Sequence, residues 1–184
     1  MDTNTSPADS NDYYYQIPEY PDTYTAENVA ARLVDGLGFR FYWASEGLTQ
    51  SDLEFRPSED GRTTEETLDH LYGLSLTIIN ATLGKLNEPV DRSGMTTDDK
   101  RKMALENIKA ASENLKNASP GDIENMKSIF KRGEDSTAEF PFWNMVNGPI
   151  ADAIYHTGQI VTFRRSSGNP INPNITVFQG KIRK

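Results

Sequence analysis

Four long stretches in which apolar residues return every three or four positions, each bounded by helix-capping and helix-breaking residues, limit this chain to a mostly helical fold. In the first, Thr25 stands as N-cap, and Val29, Leu33, Leu37, Phe41 and Leu48 follow at helical spacing, predicting a helix over 26–46. Gly36 and Gly38 weaken it locally, and they let another element approach closely. The second, over 64–83, opens on Thr63 with Glu66 three positions later, a reciprocal capping pattern, and closes at Gly84. The third opens at Thr96 or Thr97, carries Met103, Leu105, Ile108, Ala111 and Leu115, and stops at Ser119-Pro120-Gly121. Asp98 and Asp99 lie in its first turn, where acids favour the helix dipole. The fourth covers 140–165 and includes Phe142, Met145, Val146, Ile150, Ile154, Ile160 and Val161. Pro149 within it lacks an N–H and must kink or restart the helix.

The remaining segments are connectors. Residues 48–63 and 85–95 hold Pro57, Gly61, Pro89 and Gly94, which break any period. Residues 122–139 fit a short β-hairpin, with Ile123, Met126, Ile129 and Phe130 facing inward and Gly133-Glu134-Asp135 turning. A chain of 184 residues holds one sizeable core rather than two domains. The reading is therefore all-α: a four-helix bundle over 25–170 with a short β-hairpin before the last helix. Residues 1–24 form a flexible polar segment whose tyrosines (Tyr13, Tyr14, Tyr15, Tyr20 and Tyr24) lie against the body. Residues 171–184 form an extended tail that packs through Ile171, Ile175, Val177 and Phe178.

Composition excludes several chemistries. There is no cysteine, which removes disulfides, thiolate metal sites and cysteine nucleophiles. A net charge of −8 argues against a phosphate-backbone binder, so no nucleic-acid partner is expected. No apolar run approaches the ~20 residues that cross a bilayer, and the first residues lack a basic-then-apolar signal. A cytoplasmic protein with no membrane partner is the expectation.

The chain has two histidines. His70 lies within the second helical run, and His156 within the fourth, four residues after Asp152. Residues i and i+4 share a helix face, so Asp152 and His156 can close on one cation while His70 reaches in from a neighbouring helix. Two imidazoles and one carboxylate leave coordination positions open, as metal catalysis requires. The competing reading is a helix-face ion pair between Asp152 and His156, with His70 an ordinary core or surface residue. Gln159 shares the face of His156 and can orient its ring or a bound water, or serve as a polar rim residue. Asp69 adjoins His70 but points about 100° away. Trp43 reads as core or pocket wall. Arg164 reads as a charge at a helix C-terminus or as a partner for a substrate anion.

Two segments carry a resemblance. GLGFRFYWASEGLTQSDLEFRPSEDGRTTEETLDHL, and ADAIYHTGQIVTFRRSSGNP with its His-x-Gly-Gln-Ile ending, resemble the DinB/YfiT-like family over roughly residues 25–170. That family binds a divalent metal through one histidine on its second helix and an HxxxH pair on its fourth. The resemblance implies His70 as the first ligand and His156 as the last, with Asp152 in place of the middle histidine. A carboxylate there suits zinc, nickel, iron or manganese. The resemblance further implies a thiol S-transferase that activates a low-molecular-weight thiol, such as bacillithiol or mycothiol, toward an electrophile, and a homodimer. A hydrolase activating water is the other enzymatic reading. A non-catalytic helical protein of stress response or assembly is the reading of a different class.

Overall fold

Threonines set where the long helices begin. In the computed structural model, which describes residues 10–134 and 136–183, helix α1 (Ala26–Ser45) starts where Thr25 Oγ1 accepts from the Asn28 N–H at 3.2 Å. A short α2 (Gln50–Glu54) is held by a capping box in which Thr49 N donates to Asp52 at 2.8 Å. Helix α3 (Thr64–Thr82) has the Thr63–Glu66 box expected from sequence, with Thr63 N donating to Glu66 at 2.7 Å. Helix α4 (Thr97–Asn117) repeats the device with Thr96 and Asp99 at 3.0 Å. Each box satisfies backbone N–H groups that a helix start otherwise leaves open.

The fourth apolar run is not one helix. The strand before it ends at Pro141, and α5 (Phe142–Met145) leads into a π-helical turn, Val146–Ile150, before α6 (Ala151–Ser167). Gly148 leaves helical geometry at φ −99° and ψ −107°, beside Pro149. The missing proline N–H and its ring clash explain the break. Its effect is to set the direction of α6 independently of α5.

Helix α4 packs against α1 and α3, and α6 packs against the same two. One core lies between these four helices, with Leu37 and Phe41 from α1, Leu71 and Ile78 from α3, Ile108 and Leu115 from α4, and Ile160 from α6. The chain is thus mostly helical, with a small mixed sheet beside α3. In that sheet β1 (Leu86–Asn87) pairs parallel with β2 (Lys127–Lys131), and β2 pairs antiparallel with β3 (Thr137–Pro141). The register sets Leu86 against Ile129 and Ile129 against Glu139. The hairpin before the last helix is present, and Met126 is buried at its base; Asp135, placed in its turn by the sequence, lies outside the described residues.

Several expectations need correction. The connector over 48–63 contains α2, and residues 85–95 contribute β1. Val29 and Leu33 do not face the core; they are 54% and 37% exposed, while Ala30, Ala31 and Val34 are buried. The C-terminal segment forms a hairpin of β4 (Ile175–Thr176) and β5 (Lys181–Ile182), whose turn presents Val177 and Phe178 to solvent. Residues 1–9 of the N-terminal segment lie outside the described residues, but Ser10–Tyr15 is a 3-10 helix. Tyr14 is buried, its hydroxyl donating to Asp35 at 3.2 Å, and Lys116 pairs with the same carboxylate at 2.6 Å. Gly38 makes this possible, because a Cβ there would sit 2.4 Å from the Tyr14 ring. The N-terminal segment and the C-terminal hairpin meet where Ile17 N donates to the Gly180 carbonyl at 2.8 Å.

Candidate metal centre

His70, on α3, and Asp152 and His156, on α6, converge. One Asp152 oxygen lies 3.3 Å from His70 Nε2 and the other 3.3 Å from His156 Nε2. The imidazole rings stand edge to face with centroids 4.6 Å apart. One donor atom from each residue falls within 4.8 Å of the others, close enough to hold a metal ion. Helical spacing brings Asp152 and His156 together on one face, and the packing of α3 on α6 supplies His70. Restarting the helix after Pro149 puts Asp152 in the first turn of α6, where a carboxylate is electrostatically favoured.

The donor set fits a cation. Bonds of ~2.0–2.1 Å at tetrahedral angles hold two donors ~3.3 Å apart, the separation of each Asp152 oxygen from its own imidazole, and a distance that a His–Asp ion pair also shows. His156 Nδ1 lies 2.7 Å from Gln159 Oε1. With the amide in this orientation Nδ1 carries the proton and the Nε2 lone pair faces a carboxylate, so two acceptors meet one neutral ring. Nε2 and Asp152 would together serve as ligands to a cation, which would relieve that conflict. Gln159 Nε2 in turn donates to the Tyr155 hydroxyl at 3.3 Å, and the Tyr155 ring meets His156 edge-on at 5.2 Å.

Burial lowers the His70 pKa, and the charges of Arg62 and His156 push the same way, against the hydrogen bond His70 donates to Asp152 and that carboxylate's charge, which raise it. The net lowering keeps His70 neutral near neutral pH, as a metal ligand must be. The His156 side chain is 11% exposed, whereas His70 and Asp152 are 31% and 42% exposed. One side of the trio is therefore packed and the other opens to solvent, leaving room for a further ligand.

The other expected residues lie elsewhere. Trp43 turns to the N-terminal segment, donating from Nε1 to the Tyr15 carbonyl at 3.2 Å and packing on Tyr15 and Tyr42. Arg164 is not available to a substrate: it is 5% exposed and its guanidinium serves the backbone. It donates to the Glu46 carbonyl at 2.7 Å and to those of Trp43 and Ala44 at 3.3 Å, satisfying the C-terminal end of α1. Asp69 faces away from the trio to Lys100 and Arg92, at 2.8 and 2.9 Å. Arg62 and Tyr155 were not legible as neighbours of the site. Tyr155 adjoins His156 in sequence, but ring contact depends on rotamer, and Arg62 comes close only through the path of the connector.

A groove of about 640 Å³ between the N-terminal segment and the C-terminal hairpin touches none of the three; Ile154 is the α6 residue that lines it. Among protein-family models none matches this chain, and no curated protein matches it.

Proposed function

We propose that this chain is a divalent-metal-dependent enzyme of the DinB-like class, built on a four-helix bundle of α1, α3, α4 and α6. We further propose that it joins a low-molecular-weight thiol, through its sulfur, to an electrophile. The observation that carries this reading is the convergence of His70, Asp152 and His156 from two helices, with one side open. The matching positions of the family resemblance, on the second long helix and the last, support it further.

In this reading His70 and His156 hold the cation through Nε2 and Asp152 through a carboxylate oxygen. Zinc, nickel, iron and manganese all accept such donors. When bound, the cation supplies the positive charge that favours a thiolate over a thiol. Gln159 fixes the His156 ring, and Tyr155 fixes the Gln159 amide. The substrate thiol gives up its proton to solvent water through the open side of the site, its sulfur bonds to the electrophilic carbon, and the leaving group departs with the electrons of the broken bond. Arg62, exposed and near enough to act on His70 through its charge, is a suitable partner for an anionic group on either substrate.

The test uses protein purified without a histidine tag and loaded separately with each metal. It is assayed with bacillithiol, mycothiol and glutathione against monochlorobimane, following thioether fluorescence. Metal-dependent turnover that is lost in His156→Ala supports the proposal. Equal rates with and without metal for every thiol would reject it in favour of the non-catalytic reading.

A further inference from the structure

We propose that the groove between the N-terminal segment and the C-terminal hairpin binds a small amphipathic anion, a carboxylate with an apolar body of the medium-chain fatty-acid type. Its floor is the outer face of α1, with Val29, Leu33 and Gly36, together with Ile154 of α6. One wall holds Ile17, Tyr20 and Tyr24, and the other Val177 and Phe178. The walls are tied at their base by the Ile17–Gly180 backbone bond of 2.8 Å. Gly180 sits at φ +65°, and a Cβ there would strike Ile17, so the close contact of the two walls requires glycine.

The groove is apolar where it is exposed. Tyr24 and Phe178 are 96% and 97% exposed, and Val29 is 54% exposed. A contiguous patch of this kind marks a binding surface rather than scattered surface residues. Its volume of about 640 Å³ is that of a small-molecule site.

Charge decides the occupant. Arg32 and Arg40 line the groove and, among the described residues, no aspartate or glutamate does, in a chain of 27 acidic and 19 basic residues. Among the described residues neither arginine forms an ion pair. Arg32 donates to the Pro18 carbonyl at 2.6 Å and lies over the Tyr20 ring. Arg40 folds back to donate to the Gly36 carbonyl at 2.9 Å, into space that a Cβ at Gly36 would crowd at 3.1 Å. Each guanidinium retains donors for an anionic head group above an apolar floor. Ile154 lies two residues from both Asp152 and His156, about 200° around α6, so the groove opens on the opposite side of that helix from the candidate metal centre. The proposal stands or falls independently of the metal reading.

The test is displacement of anilinonaphthalene sulfonate by decanoate from the full-length protein. Decanol and decyltrimethylammonium serve as probes of equal chain and different head. Decanoate is expected to bind best, with Arg40→Gln weakening it about tenfold. Leu33→Glu, which sets an acid on the groove floor, is expected to abolish binding, with helical circular dichroism retained. His156→Ala is expected to bind as the parent does. Decanol binding as tightly as decanoate, or unchanged affinity in both groove variants, would overturn the proposal. So would a dimer broken by Phe178→Asp and unable to bind the probe, which would give the groove to a second copy of the chain.

Discussion

Arg164 offers a sharp test of how α6 is held, because two roles for it predict opposite results. In Arg164→Met the aliphatic stem stays but the guanidinium is lost. Two short bonds go, to the Glu46 carbonyl at 2.7 Å and the Asn169 carbonyl at 2.8 Å, along with weaker ones to Trp43 and Ala44 at 3.3 Å. A hydrogen bond from a charged donor contributes ~1.5 kcal/mol or more, so the two short bonds set a loss of about 3 kcal/mol. For a chain of this size ~2–4 °C accompanies each kcal/mol, giving a fall in Tm of roughly 6–12 °C. Urea unfolding should show the same loss with an unchanged slope. Arg164→Lys keeps the charge but cannot span both carbonyl groups, and should recover less than half. A change below about 1 kcal/mol would refute the capping role. A substrate-binding arginine would instead raise KM and leave Tm alone.

Three further outcomes follow from individual contacts. Gly38→Ala puts a Cβ 2.4 Å from the Tyr14 ring. It should cost ~1–3 kcal/mol and expose residues 10–24 to limited proteolysis; in a Tyr14→Ala background it should be neutral or stabilising by up to ~1 kcal/mol, and equal losses in both backgrounds would refute the contact. Burial would raise the Asp52 pKa, but hydrogen bonds from Ser167, Asn169 and Thr49 outweigh it and hold the carboxyl well below its ordinary value. A depressed carboxylate stabilises the fold above its unfolded pKa and loses that contribution on acidification, so stability should fall below about pH 4, less steeply in Asp52→Asn. Identical acid profiles in urea titrations would contradict this. Gln159→Ala should weaken metal binding ~10–100-fold while leaving metal-free melting unchanged, and undiminished affinity by calorimetry would remove Gln159 from the site.

What the sequence disclosed divides along local and non-local lines. The Thr63–Glu66 box, the start of α4 at Thr96 and the pairing of Asp152 with His156 depend on residues within one or two turns, and each could be read directly. The helix that carries His70 is equally local in origin, but its meeting with α6 is a tertiary contact that only the resemblance implies from sequence. Helix α2 carries the same box signal at Thr49 and Asp52, but its five residues are too few to show an apolar period before Pro57 and Gly61 break the segment. Strand β1 pairs with β2 across more than 40 residues, a contact that no local pattern encodes. Val29 and Leu33 belong to an apolar stripe wider than the face the core covers, and periodicity alone cannot say which edge remains open. Arg164 read as an ordinary C-terminal charge because the α1 carbonyls it serves lie far away in sequence.

A cation held jointly by α3 and α6 would be visible in the metal stoichiometry of the tag-free protein. Titration with zinc, nickel, iron and manganese followed by chelation and melting should reveal one equivalent bound, with Tm raised on loading and restored by chelator. Asp152→Ala and His156→Ala should each lose that equivalent while keeping the helical spectrum. Retention of metal by both variants at parental affinity, or no binding of any of the four ions by the parent, would contradict the assignment.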